Sequence, residues 1–338
     1  MPERPQALFA MTAENVPLIF PPPVLTQLRE SLALDPALVL QDPAGLADPP
    51  LARALSRAEV LVTGWGCPLL DTRVLDAAPR LRTVLHAAGS VKGFTTPGLW
   101  RRGITVSSAA EANAVPVAEY TLAMILLAGK DVFAFRDALR TRRAFPYGGI
   151  VPGIGNYGRR VGVIGASRTG RRVIGLLRPH DVRVTLADPY LDESAAAALD
   201  VPLLPLDELL RGSDIVTVHA PETPETRHLL GPRELSLMPD GAVLINTARG
   251  SLVDQDALVA ELVTGRLSAI LDVTDPEPLP SASPLFDLPN AFVTPHLAGS
   301  QGNEVARLGR AVAEEAGRLA AGDRLRFEVD PAVLGRTA

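Results

Sequence analysis

Val161–Arg172 reads VGVIGASRTGRR, and this stretch decides the fold. Val161–Ile164 is a short apolar run of the kind buried on both faces of a parallel sheet, and a tight turn and a helical start follow it. Gly165 and Gly170 match the first and third glycines of the dinucleotide fingerprint, with Ser167 in the second position. The second glycine normally lets the backbone approach a pyrophosphate closely; serine is the smallest polar substitute, and its hydroxyl can donate to a phosphate oxygen. Asp188 ends the run VTLAD, 23 residues after Gly165, where a carboxylate accepts hydrogen bonds from ribose hydroxyls. Strand, turn and spaced acid together point to a dinucleotide. A P-loop is excluded because Arg171-Arg172 follow Gly170 where lysine and a hydroxyl residue are needed. A nucleophile elbow is excluded because Ser167 is followed by Arg168-Thr169-Gly170, so G-x-S-x-G is not met.

Outward from this turn the chain keeps the same alternation. Strands are expected at Arg160–Ile164, Arg183–Ala187, Ile215–Val218, Ala242–Asn246, Ala269–Leu271 and Phe292–Thr294. Helices intervene at Thr169–Leu177, Leu206–Leu210, Pro232–Leu237 and Gln255–Thr264. An earlier series has strands at Glu59–Thr63, Arg82–His86 and Ile104–Ser107, with helices at Val24–Leu34 and Leu51–Arg57. Between the two series lies Pro116–Gly129, PVAEYTLAMILLAG. Proline suits a first helical turn and glycine a stop, so a helix is expected there, and its apolar character on nearly every face predicts burial. A last helix is expected at Asn303–Ala321. The fold class is α/β, with largely parallel sheets.

Composition bounds the function. A chain of 338 residues is too long for one comfortable core and predicts about two domains. Apolar residues make up 47% and charged residues 21%, which excludes a largely disordered protein. The net charge of −5 provides no basic field for nucleic acid. The longest strongly apolar stretch, Tyr120–Ala128, falls short of the ~20 residues that span a bilayer, so no membrane partner is expected. The start, MPERPQALFAMTAENVPLIF, has no continuous apolar run behind a basic beginning, which argues against a secretory signal. Cys67 is the single cysteine, so neither an internal disulfide nor a cysteine-built zinc site can form. The expected location is cytoplasmic.

Chemistry gathers in three later segments, LINTARGSLV (Leu244–Val253), LDVTDPEPLP (Leu271–Pro280) and VTPHLAGS (Val293–Ser300). Each follows an expected strand, and in an open parallel sheet ligands sit beyond the carboxyl ends of the strands. Arg249, Glu277 and His296 can therefore converge. Arginine can grip a carboxylate through two hydrogen bonds. Histidine titrates near neutrality, and a carboxylate beside it fixes the tautomer and favours the imidazolium. Taken singly, Arg249 reads as a surface ion pair, Glu277 as a solvated loop acid and His296 equally well as a turn histidine. The other histidines, His86, His180, His219 and His228, lack H-x-x-x-H or cysteine spacing, so no metal is expected.

At these residues the chain resembles the NAD-dependent D-2-hydroxyacid dehydrogenases, the family of phosphoglycerate dehydrogenase and glyoxylate/hydroxypyruvate reductase. The resemblance covers about residues 60–320. It rests on VAE at Val117–Glu119, VGVIGASRTG, HAPETPETRHLL at His219–Leu230, NTARGSLVDQDAL at Asn246–Leu258, LDVTDPEPLP and TPHLAGS, in that order. It implies two Rossmann-like doubly wound domains, with an NAD-binding domain (116–296) inserted into a flavodoxin-like substrate domain (1–115 and 297–338) and the active site in the cleft between them. It implies that Arg249 binds and polarises a 2-oxo acid, that His296 is the acid/base and that Glu277 orients it. Gly165, Ser167, Arg168, Thr169 and Gly170 would lie at the NAD pyrophosphate, and Asp188 at the ribose. Ala220, Pro221 and Thr226 would lie along the cofactor, with Thr247, Ala248 and Asp272 near the nicotinamide. Ala88, Gly89 and Ser90 fall in the loop whose amides would hold the substrate carboxylate, and Trp65 is a candidate side-chain selector. Family members are commonly homodimers joined through the cofactor domains, and Asp131–Tyr147 would contribute here. Two departures stand out: Ser167 for the second glycine, and Ser90-Val91-Lys92 without the aspartate common in that loop.

Three functions compete. The leading one is a reversible 2-oxo acid reductase. A non-catalytic NAD(H) sensor or scaffold would use the same fold, but would not require the set Arg249, Glu277 and His296. A nucleotide-fold methyltransferase would use the glycine turn and the acid alone.

Overall fold

The computed structural model describes residues 4–144 and 149–334. The far end of the expected dimer segment Asp131–Tyr147 lies outside them, as do the outer ends of the spans 1–115 and 297–338. The chain divides into two compact units: residues 4–114 with 300–334, and 115–144 with 149–299. The second is thus inserted into the first.

In the first unit four strands pair in parallel: β1 (Ala7–Ala10), β2 (Val60–Thr63), β3 (Thr83–His86) and β4 (Thr105–Ser108). They lie in the order β1-β2-β3-β4, and Val39 bridges Phe9 in parallel on the outer side of β1. Counting that segment, the winding is 2-1-3-4-5, the flavodoxin-like order. Successive side chains alternate between two cores, as the pleat requires. Leu8, Leu61, Val84 and Val106 face one core. Phe9, Val60, Val62 and Leu85 face the other, against the helix Val305–Ala321. Each such fully buried Val, Leu or Phe contributes roughly 1.5–3 kcal/mol. Glu315 on that helix is 3% exposed, yet its carboxylate accepts from Ser107 Oγ at 2.9 Å and from the Arg326 and Phe327 amides at 3.0 and 3.1 Å. A buried charge persists only when its lone pairs are used in this way.

The second unit is a six-stranded parallel sheet: β5 (Arg159–Ile164), β6 (Val182–Ala187), β7 (Ile215–Val218), β8 (Val243–Asn246), β9 (Ser268–Leu271) and β10 (Ala291–Val293). The order is β10-β9-β8-β7-β5-β6, and Leu203 bridges Leu186 beyond β6. β6 and β7 flank β5 on opposite sides, which makes the end of β5 the point where the winding reverses and where a ligand site belongs.

Two expectations about the central helix need correction. It spans Ala110–Gly129, with Pro116 inside it and not in its first turn. Proline forfeits one intrahelical bond, but Ala114, Ala118, Thr121 and Ile125, spaced four, three and four apart, form a buried stripe that holds the turns together. Nor is the helix buried on every face, since only 39% of its most apolar 18-residue window is covered. By length and composition this 20-residue helix could cross a membrane, which the shorter Tyr120–Ala128 run did not suggest. Its buried stripe, however, packs as a core helix does, with Ala118 and Ile125 among Val161, Ile215, Ile245 and Ile270 of the sheet.

Candidate functional site

The turn after β5 is shaped by two glycines. Gly165 has φ +94°, and a β-carbon on it would stand 2.6 Å from the Ala220 amide nitrogen. A β-carbon on Gly170 would stand 2.1 Å from the Gly165 carbonyl oxygen. Only glycine allows the turn, the helix Arg168–Leu177 and the end of β7 to approach this closely. Ser167 has φ −63° and is the N-cap of that helix; its Oγ accepts from the Gly170 amide at 3.3 Å. Arg168 and Thr169 form the helix's first turn, where amide groups and the dipole favour an anion. Asp188, just past β6, accepts from the Ala166 amide at 2.7 Å and from the Tyr190 amide at 2.9 Å, which fixes its carboxylate beside the glycine turn. This cradle, which a side chain would fill, together with a carboxylate fixed at its edge, fits a dinucleotide.

Beyond β7, Ala220 is 7% exposed. Thr226 Oγ1 donates to the Pro221 carbonyl at 2.7 Å and accepts from the Thr223 amide at 2.8 Å, so its hydroxyl ties the turn Pro224–Thr226 together. Beyond β8, Thr121 Oγ1 donates to Val117, so Thr247 Oγ1 donates to Thr121 at 2.9 Å. Asn246, 1% exposed, accepts from the Ala248 amide and donates to the Arg249 carbonyl, which folds the chain back under Arg249. The half-buried Arg249 guanidinium donates through Nη1 to the Ala248 carbonyl at 2.6 Å. Its remaining N–H groups match a bidentate carboxylate.

Asp272, just past β9, is 2% exposed and holds the segment that carries the histidine. Its Oδ1 accepts from Thr294 Oγ1 at 2.7 Å and from the Leu297 amide at 2.8 Å, and its Oδ2 accepts from the Ala298 amide at 2.9 Å. Its carbonyl accepts from the His296 amide at 2.8 Å. Tyr120 extends the chain of bonds, since Thr294 already donates to Asp272 and so accepts from Tyr120 Oη at 2.8 Å. Within this frame His296 adopts φ +52°, a conformation that costs an ordinary side chain about 1–2 kcal/mol and that the Asp272 bonds over-determine. His296 Nδ1 lies 2.6 Å from Glu277 Oε1, and both side chains are nearly half exposed. An ionised carboxylate only accepts, so Nδ1 carries the proton. Nε2, left without a partner among the described residues, is the nitrogen available for proton transfer.

In the first unit, Ala88, Gly89 and Ser90 follow β3 and Trp65 follows β2. Neither the Ala88 nor the Gly89 amide bonds within the described residues. Trp65 is 41% exposed, and its carbonyl accepts from the Thr12 amide at 2.9 Å. Sequence reasoning missed Tyr120, Asn246 and Thr294 as parts of this machinery. Asn246 and Thr294 lie within the quoted motifs and Tyr120 directly follows Val117–Glu119; the bonds from Tyr120 to Thr294 and from Thr294 to Asp272 join distant segments and leave no signal in spacing, whereas Asn246 bonds within its own turn.

Residues 122–298 match the family model described as D-isomer specific 2-hydroxyacid dehydrogenase, NAD binding domain. The chain is 30% identical over 293 residues to glyoxylate reductase of Korarchaeum cryptofilum, covering 86% of this chain and 87% of that one. It is 34% identical over 278 residues to D-3-phosphoglycerate dehydrogenase of Mycobacterium bovis and 32% identical over 285 residues to that of Methanocaldococcus jannaschii, covering 81% and 82% of this chain. It spans about half the length of those two relatives, 51% and 53%. Among solved structures, a phosphoglycerate oxidoreductase from Rhizobium etli superimposes with a TM-score of 0.79 at 25% identity, over 97% of this chain and 99% of the other. On the family match across its inserted unit and the near full-length likeness to glyoxylate reductase, the chain belongs to the D-isomer specific 2-hydroxyacid dehydrogenase family.

Proposed function

We propose that this protein interconverts a 2-hydroxy acid and the corresponding 2-oxo acid with NAD(H), and the observation that carries this reading is the Glu277–His296 pair. Bound NAD(H) supplies or accepts the hydride at C2. In the reducing direction His296 donates the Nε2 proton to the substrate oxygen, while Glu277 accepts from Nδ1–H and so holds the ring in place. Arg249 grips the substrate carboxylate and stabilises charge developing on the C2 oxygen. Asp272 keeps His296 in register through Leu297 and Ala298.

The cofactor falls to Gly165, Ser167, Arg168, Thr169 and Gly170 at the pyrophosphate and to Asp188 at the ribose. Ala220, Pro221 and Thr226 line its path, and Thr247, Ala248 and Asp272 lie towards the nicotinamide. The amides of Ala88, Gly89 and Ser90 are the second element assigned to the substrate carboxylate, with Trp65 as selector of the substrate side chain. On this reading 1–115 with 297–338 is the substrate domain and 116–296 the NAD domain.

A cytoplasmic homodimer completes the proposal. The half-covered apolar helix Ala110–Gly129, with Val132 and Leu139 exposed beside it in sequence, supplies apolar surface for a second copy. The lone Cys67 suits a reducing compartment. The function is tested by following NADH absorbance with a panel of 2-oxo acids of different side chains. Turnover of one or more supports it, and binding of NADH with no turnover of any favours the sensor reading.

A further inference from the structure

We infer that Glu222 is a positioning residue for Arg249: from the loop after β7 its carboxylate anchors the Ser251 hydroxyl, two residues beyond the arginine. The inference rests on the proposed 2-oxo acid chemistry, because that reading makes Arg249 the grip on the substrate carboxylate. Ser251 Oγ donates to Glu222 Oε1 at 2.5 Å, within the short range of charge-assisted O–H···O⁻ bonds, which are roughly twice as strong as neutral ones. Ser251 is 7% exposed, while Glu222 stands at the surface. A hydroxyl so deep has to find its partner in the protein, and among the described residues that partner is Glu222.

The backbone around Arg249 shows why this bond matters. The Arg249 carbonyl accepts from Asn246 Nδ2 at 2.8 Å and from the Leu252 amide at 3.3 Å. Farther on, the Ser251 carbonyl accepts from the His228 amide at 2.8 Å and the Leu252 carbonyl from the Leu230 amide at 3.0 Å. Leu230 also bridges Val253 in parallel, so segment 228–230 runs along segment 251–253. Ser251 is thus held twice, by its carbonyl and by its hydroxyl, and the hydroxyl bond is the one that a change of side chain can break. Only Gly250 separates Ser251 from Arg249, and glycine by itself holds no single conformation. Anchoring Ser251 therefore fixes the way the chain leaves Arg249. A fixed exit keeps the guanidinium, whose Nη1 already donates to the Ala248 carbonyl, in register for a bidentate carboxylate. Fixing it in advance lowers the ordering cost of binding.

The experiment compares full-length wild type, Glu222→Gln, Glu222→Leu and Ser251→Ala by NADH-linked kinetics, alone and in an Arg249→Lys background. In Glu222→Leu, kcat/KM for the 2-oxo acid should fall about tenfold, mostly through KM, because a buried hydroxyl loses a charged partner. NADH affinity should hold. Glutamine keeps an acceptor oxygen and should recover most of the loss, and Ser251→Ala should reproduce it. The discriminating readout is the cycle with Arg249→Lys: if Glu222 acts through the arginine fork, Glu222→Leu should cost less than about twofold once the fork is gone. Where Arg249→Lys is too slow to follow, the cycle is read from the dissociation constant of oxamate, an unreactive 2-oxo acid analogue, in the NADH complex. An unchanged kcat/KM in Glu222→Leu, or the same fold loss in both backgrounds, overturns the inference. So does a loss confined to NADH affinity. A wild type that reduces no 2-oxo acid overturns the functional reading instead, so the two failures are distinguishable.

Discussion

A β-carbon on Gly250 would stand 2.0 Å from the carbonyl carbon and oxygen of Thr274 and 2.6 Å from the Asp275 nitrogen. The residue directly after Arg249 is thus pressed against the backbone of the loop that leads to Glu277. The contact is between main chains, so no side-chain rotamer can relieve a substitution.

Gly250→Ala therefore has to displace one loop or the other. Overpacking of this kind costs about 1–3 kcal/mol, and both loops carry assigned active-site residues. We expect a lowered thermal midpoint and a kcat/KM at least about tenfold down, with NADH affinity less affected. A variant with wild-type kcat/KM would mean that the two loops move independently.

Cofactor choice should favour NAD over NADP. Asp188 is held at the glycine turn by the Ala166 and Tyr190 amides, so its charge cannot swing away from a 2′-phosphate, and Pro189-Tyr190 follow it without an arginine. Comparing kcat/KM for NADH and NADPH checks this, and a preference for NADPH would refute it.

Acid should destabilise the protein earlier than its carboxylates alone would require. Burial lowers the pKa of both His86 and His219 from 6.5 to about 3. Between those values the unfolded chain binds protons that the folded chain excludes, so stability rises with pH. The stabilising contribution is fully present above pH 6.5 and is lost as pH falls towards 3, by on the order of 1 kcal/mol per pH unit for each ring. Thermal midpoints of wild type and His219→Gln between pH 7 and 5 test it, the variant being expected to show the shallower slope. Parallel curves would mean that His219 already charges in the folded state.

Much of this was legible in the sequence because parallel strands buried on both faces leave continuous apolar runs, and because the assigned chemistry sits in short motifs after those runs. What escaped notice depends on contacts between distant segments. β1 (ALFA) has little strand propensity of its own, and its pairing with β2 makes it a strand. Pro116 looked like a helix start because a buried stripe on the far side of the helix cannot be seen in a local window. Ser167 read as a stand-in for glycine, but its φ of −63° requires none, and its hydroxyl caps the helix. His86 shows no metal spacing, and its partner Thr63 is brought to it only by the pairing of β2 with β3.

The Glu277–His296 pair gives the most demanding prediction. If His296 donates the proton during reduction, His296→Ala should lose roughly 10²–10⁴-fold in kcat while NADH affinity is nearly unchanged. Glu277→Gln should be milder, because the glutamine can still orient the ring but no longer offers a negative charge 2.6 Å from Nδ1. Reduction requires the charged ring, so the wild-type rate falls as pH rises. Removing the paired charge makes the charged ring harder to keep, so in the glutamine variant the fall should begin at lower pH. The reverse reaction requires the neutral ring, and its rise with pH should move in the same direction. The measurement is kcat/KM against pH for both proteins in both directions. An unshifted or upward-shifted fall in Glu277→Gln would mean that Glu277 does not act on His296, and full activity in His296→Ala would remove the proton-transfer role from the histidine altogether.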